Sequence, residues 1–260
     1  MMIGINLFSL RTLIKSENDF LATALRLKEM GYQCLQYSGG PYEPDRLRRV
    51  SRASGLPITV THVPMDRILN DTDTLMKEHE GFGCRYIGLG TMDRAVIADG
   101  ERVRRTVEEL NRVAERMERN GFTFFYHNHH PECYKHGDKT VLDMFIDDAP
   151  SVHVILDTYW LQYGGVSIME TVERLKGRIE CVHLKDYRIK LRTEEDKFIY
   201  EPTFAPVGDG NINFAAIIPA MMASGTKYFL VEQDNAVSFD DPFKEVERSI
   251  IHLKKLIKEE

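Results

Sequence analysis

The chain has 260 residues, 43% of them hydrophobic, which suits one large domain with a sizeable core or two small ones. Its formal net charge of −6 argues against a general nucleic-acid surface, because such a surface needs a basic stripe to neutralise phosphates. No apolar run approaches the roughly 18 residues needed to cross a bilayer, so neither nucleic acid nor membrane is an expected partner.

Strand-like runs recur at Ile3–Leu7, Cys34–Tyr37, Ile58–His62, Tyr86–Leu89, Thr123–His127, Val152–Leu156, Glu180–Leu184 and Tyr228–Glu232. Between them lie segments with helical apolar spacing. Val103, Val107, Leu110, Ala114 and Met117 recur at three- and four-residue steps, as do Phe243, Val246, Ile250, Leu253 and Ile257. Glycines stand where helices should end and strands begin, at Gly31, Gly55, Gly121, Gly177 and Gly225. The basic groups Arg46, Arg48, Arg49 and Arg102, Arg104, Arg105 fall on helical segments and read as solvated outer faces. Cys34, Cys84, Cys133 and Cys181 show no CxxC spacing, a usage that fits a reducing cytoplasm. The N-terminal MMIGINLFSL has no basic region followed by a long apolar stretch, so no secretory signal is expected there.

Eight strands interleaved with helices make either a closed barrel or an open doubly wound sheet. No glycine-rich dinucleotide fingerprint follows the first strand, and candidate ligands end four consecutive strands. Both points favour a single-domain (β/α)₈ TIM barrel over residues 1–260, with its chemistry at the C-terminal mouth. One stretch breaks the rhythm: DYRIKLRTEEDKFIYEPTFAPVGDGN, between His183 and the helix near Phe214. Its interleaved Tyr187, Phe198, Tyr200 and Phe204 predict an ordered flap over the mouth; a surface excursion packed on its own aromatics is the alternative.

The strand ends carry the chemistry. Asp157 follows VHVIL, His183 follows the apolar Cys181-Val182, and Glu232 follows YFLV, where a carboxylate is costly to bury without a charge partner. Together they suit a divalent cation in a mixed oxygen and nitrogen site, with a salt-bridge network as the alternative. The fifth strand ends in Tyr126-His127-Asn128-His129-His130-Pro131-Glu132. Alternation sends His127 and His129 to one face, and Glu132, just past the strand, is placed to reach back to the metal as the fourth ligand. His62, Lys185 and Trp160 are expected to touch substrate. Asn6 and Gln36 suit hydroxyl recognition.

The combination YHNHHPE, LDTYW, HLKD, the Gly208 to Asn211 turn and VEQD resembles the sugar phosphate isomerase/epimerase superfamily, whose barrels are similar to xylose isomerase. The resemblance covers essentially the whole chain. It implies one divalent metal, Mn²⁺ first and Mg²⁺, Co²⁺ or Zn²⁺ as competitors, held by Glu132, Asp157, His183 and Glu232. Ketose 3-epimerases of that group place a glutamate inside the fifth strand, where this chain has His127; inosose dehydratase likewise has a histidine-rich fifth strand.

The resemblance therefore implies an isomerase or epimerase acting on a sugar, keto-sugar or polyol through a metal-stabilised enediolate, with a β-eliminating lyase as the alternative. The proton-transfer candidates are Glu132, Glu232, His127, His129 and His130, since a histidine or a tuned carboxylate can work near neutral pH. A repair endonuclease would need a basic face and more ligands in the first half, where only His62 and His79 stand. A small-molecule sugar or polyol is the expected partner, along with self-association into a homodimer or homotetramer.

Overall fold

Alternation along each short apolar run decides which side chains enter the barrel and which face the helices. The computed structural model describes residues 1–195 and 197–258. Its barrel strands are β1 (Met2–Asn6), β2 (Cys34–Tyr37), β3 (Ile58–His62), β4 (Tyr86–Leu89), β5 (Thr123–His127), β6 (His153–Asp157), β7 (Cys181–Leu184) and β8 (Tyr228–Val231). Every strand pairs in parallel with its sequence neighbours, and β1 pairs with both β2 and β8, so the sheet closes. This is a single (β/α)₈ barrel, with the strands within a residue or two of their expected bounds.

Cys34, Val60, Phe125, Ile155, Cys181 and Leu230 pack together inside the barrel. The two remaining strands contribute glycines at this level. A Cβ on Gly4 would lie 2.5 Å from Cys34 Sγ, and one on Gly88 would lie 2.7 Å from the Thr61 carbonyl oxygen. Neighbouring side-chain and backbone atoms therefore fill the space that larger residues would need. Two residues further along these strands the inward positions turn polar: Asn6, Gln36, His62, His127, Asp157, His183 and Glu232. One apolar layer thus supports the whole mouth.

The helices close the outside. Gly100–Arg119 buries Val103, Val107, Leu110, Ala114 and Met117, the stripe expected from their spacing. All five expected junction glycines have positive φ, between 71° and 101°, a region that costs a side-chain-bearing residue strain. Among the described residues no helix is long and apolar enough to cross a membrane. The four cysteines are free thiols, and Cys34, Cys84 and Cys181 are buried.

The long stretch after β7 is a β-hairpin, Asp186–Glu194 against Lys197–Ala205, in register from Asp186↔Ala205 to Glu194↔Lys197. Its base packs on the mouth: the Tyr187 and Phe204 rings lie 5.2 and 4.8 Å from the Tyr159 ring. Further out, Phe198 and Tyr200 are 70% and 68% exposed, so the outer half projects into solvent instead of covering the mouth. Asp186 anchors the return. Its carboxylate accepts from the backbone N–H of Gly208, Gly210 and Ile212 at 2.9 to 3.1 Å. A Cβ on Gly210 would meet Asp186 Oδ1 at 2.3 Å, which ties the HLKD aspartate to the glycine-rich turn as one structural unit.

Candidate metal centre and active site

His127, Asp157, His183 and Glu232 each bring one potential ligand atom to within 4.8 Å of the others, and all four residues are buried. His127 and Asp157 end β5 and β6, His183 is next to last in β7, and Glu232 directly follows β8. His183 Nδ1 lies 2.7 Å from Glu232 Oε2 and 3.0 Å from His127 Nε2. Asp157 Oδ2 lies 3.5 Å from His127 Nε2 and 3.7 Å from His183 Nδ1.

Gln36 settles which imidazole nitrogen faces the centre. Its Oε1 accepts from His183 Nε2 at 2.6 Å, and its Nε2 donates to His62 Nε2 at 2.8 Å. With the His183 proton on Nε2, a neutral ring turns the bare Nδ1 toward the other three groups. Lone pairs then face lone pairs, and Glu232 Oε2 is buried without a hydrogen bond of good geometry. Such an arrangement requires a cation or an extra proton. Ligands held at about 2.1 Å from one ion sit about 3.0–3.4 Å apart at tetrahedral or octahedral angles, close to the spacings observed. The residues present therefore fit a divalent metal.

The charge balance points the same way. Lys185 is buried, with Nζ 3.0 Å from Asp234 Oδ1, 3.2 Å from Asp157 Oδ2 and 3.5 Å from Glu232 Oε2. Three carboxylates against one ammonium leave two negative charges, which a divalent cation would neutralise. Burial would raise the Asp157 and Glu232 carboxyls, but the Lys185 ammonium holds both well below the usual range. Burial opposes the charge on Lys185, yet the surrounding carboxylates raise its pKa. Burial, reinforced by His183, lowers His127 to about 4. Burial also lowers His129 to about 2. Both rings are neutral at ordinary pH, which suits His127 as a ligand and leaves His129 a poor base.

The expectation for Glu132 is corrected by the structure. After His127 the chain turns into a short 3-10 helix, His130–Cys133, and folds Glu132 beneath it, fully buried. One carboxylate oxygen accepts from Tyr126 Oη at 2.5 Å, the other from the His129 N–H at 2.8 Å. Both oxygens are engaged in bracing the turn, outside the four-atom centre. Its assigned roles as ligand and as catalytic group thus have no geometric basis, and His127, five residues earlier at the strand end, stands where the fourth ligand was sought.

A cavity of about 400 Å³ lies above the centre, lined among others by His62, His127, His129, His130, Trp160, Lys185, Glu232 and Asp234. Trp160 forms one wall, with Lys185 Nζ 5.2 Å from its ring centroid. The His62 ring lies 5.2 Å from that of His127. His130 is at the outer edge, 5.0 Å from Trp160, away from the four ligand atoms. Asp234 was missed in the sequence, although it stands two residues after Glu232 and alternation places it on the same side. Burial, reinforced by Glu232, raises its carboxyl to about 6.

The profile of the xylose isomerase-like TIM barrel matches residues 25–256. The chain belongs to this family. Among curated proteins it is similar to inosose dehydratase from Geobacillus thermodenitrificans, 28% identical over 146 residues that make up 53% of this chain and 49% of that one. The inosose dehydratase of Clostridium perfringens (strain 13 / Type A) is 26% identical over 176 residues, covering 64% and 58% of the two chains. The chain thus spans about half the length of the curated relatives it matches. Among solved structures, a sugar phosphate isomerase/epimerase from Parabacteroides distasonis superposes with a TM-score of 0.77 at 22% identity, covering 98% of each chain. At that identity the likeness shows a xylose isomerase-like TIM barrel fold.

Proposed function

We propose that this xylose isomerase-like barrel is a divalent-metal-dependent enzyme that removes a proton beside a carbonyl of a sugar, keto-sugar or cyclic polyol. The observation that carries the reading is the convergence of His127, Asp157, His183 and Glu232 beneath an open cavity. Two imidazoles and two carboxylates favour a borderline cation such as Mn²⁺, Co²⁺ or Zn²⁺ over Mg²⁺, which prefers oxygen ligands. When bound, such an ion supplies Lewis-acid polarisation of a substrate carbonyl and stabilises the adjacent negative charge.

The chain's own residues supply the proton handling. Asp234 lines the cavity and stands outside the four-ligand set, so it is the carboxylate placed to act as a base. Lys185 is fully protonated there and serves as donor to an oxygen that gains charge. Trp160 and Phe204, with ring centroids 5.9 Å apart, wall the rim against solvent.

Loss of a β-hydroxyl is the outcome this arrangement favours. Asp234 takes the proton from carbon, the C–O bond breaks, and the hydroxyl leaves as water after receiving one proton from the Lys185 side. His127 stands where a glutamate would oppose Glu232 in a two-base epimerase, and the curated relatives bear the name inosose dehydratase. A second reading, isomerisation of a keto-sugar, is favoured by Asp234 itself, because one carboxylate can both take and return the proton. Incubating the Mn²⁺-loaded protein with inosose and with ketohexoses in D₂O, followed by NMR, separates them. Dehydrated product supports elimination; deuterium exchange without loss of water supports isomerisation. Absence of exchange and of product with every substrate refutes proton abstraction.

A further inference from the structure

A second cavity, of about 530 Å³, opens beside the first. The two share four lining residues, Arg94, Ile97, His130 and Pro131, so they adjoin along that edge. The outer part is bounded by Tyr134 and Tyr163, which are 56% and 54% exposed. His130 links the two parts: its ring lies 5.0 Å from Trp160 in the inner cavity and 5.2 Å, edge to face, from Tyr163 in the outer one. An aromatic track therefore runs outward from the ring-binding position. Among the described residues no carboxylate lines the outer cavity. Its cation, Arg94, has no carboxylate within ion-pair distance among the described residues.

Each cavity by itself falls within the few-hundred Å³ range of small-molecule sites. A bare sugar ring or inositol is satisfied by the inner one, with its hydroxyl-binding polar groups at the metal centre. The outer one offers ring faces, ring edges and an unpaired guanidinium, groups that favour a flat apolar surface through stacking and cation–π contact.

We infer that the substrate is a polyol ring bearing a flat, aryl-type substituent, with the ring at the four-residue centre and the substituent between Tyr134 and Tyr163. This rests on the sugar reading above and extends it from a free sugar to a glycoside-like conjugate.

Calorimetric titration of the Mn²⁺-loaded protein with matched pairs tests it: D-glucose, D-galactose and D-allose, each against its phenyl β-glycoside. At least one phenyl glycoside is expected to bind tenfold or more tightly than its parent sugar. Tyr163→Ala and Tyr134→Ala should each remove most of that gain while leaving the affinity for the parent within twofold. Equal binding of every glycoside and its parent, or a gain that survives both alanine substitutions, overturns the second subsite and leaves the sugar reading standing. Failure of all six compounds to bind overturns the inference, while the D₂O incubation with inosose and ketohexoses tests the sugar reading separately.

Discussion

Replacing Asp157 by Asn tests the metal centre with little change of shape. The Oδ1 atom caps the following helix by accepting from the Trp160 N–H at 2.9 Å, a bond the asparagine oxygen can keep. The Oδ2 atom, which faces His127, His183 and Lys185, becomes an amide group that carries no charge and cannot ligate through nitrogen. The local balance falls from two uncompensated negative charges to one. At a free metal concentration one hundred times its dissociation constant, binding stabilises the native state by about 2.7 kcal/mol. For a domain of this size each kcal/mol raises Tm by about 2–4 °C, so the wild type should gain about 5–10 °C. Changes around metal ligands lower affinity 10–100-fold even from outside the coordination sphere. A 100-fold loss leaves about 0.4 kcal/mol at the same metal concentration, or about 1 °C. Thermal denaturation of the chelator-treated protein, with and without added Mn²⁺, measures both shifts, and any change in metal-free stability cancels within each protein. A wild type that gains nothing from Mn²⁺, Co²⁺ or Zn²⁺, or a variant that gains as much as the wild type, refutes the assignment of a metal to this cluster.

Two further outcomes follow from neighbouring residues. Glu132→Gln should lower stability by about 1–3 kcal/mol, because an amide nitrogen replaces one of two acceptors facing the Tyr126 hydroxyl and the His129 N–H. It should keep the full metal-induced rise in Tm, and loss of that rise would restore Glu132 as a ligand. His79 is the second case: it is buried, bonded to Thr61 Oγ1 at 2.7 Å, and lowered by burial to about 4 from an ordinary 6.5. The unfolded chain therefore binds more protons at this group between about pH 6.5 and 4, so native stability falls as pH drops through that window. The full effect is about 3 kcal/mol. Urea titrations at pH 7 and pH 4 should show the wild type losing about that much more than His79→Gln, and equal losses in the two proteins contradict the account.

The strands, helices and mouth position were legible in the sequence because each rests on a local rule. Period-two runs closed by glycines give strands and junctions, and the parallel barrel follows from eight repeats of that unit. The stretch after β7 was expected as a flap over the mouth and is instead a hairpin whose outer half is exposed. Asp157, His183 and Glu232 stood out by a local rule: a polar residue ending an apolar strand is costly unless something compensates it. The choice between His127 and Glu132 was not decidable this way. Both lie near the end of β5, and only the turn after the strand, which folds Glu132 beneath it against Tyr126, removes it from the centre. Gln36 and Asp234 are similar cases. Gln36 matters because it reaches His183 from β2, and Asp234 because its half-buried carboxylate meets the buried Lys185 ammonium. Sequence alone thus determined the scaffold and the residue types at its mouth, through patterns that act within one strand or one helix. Tertiary structure decided which of those groups converge, because the distances and desolvation that set ligation and pKa arise only between segments far apart in the chain.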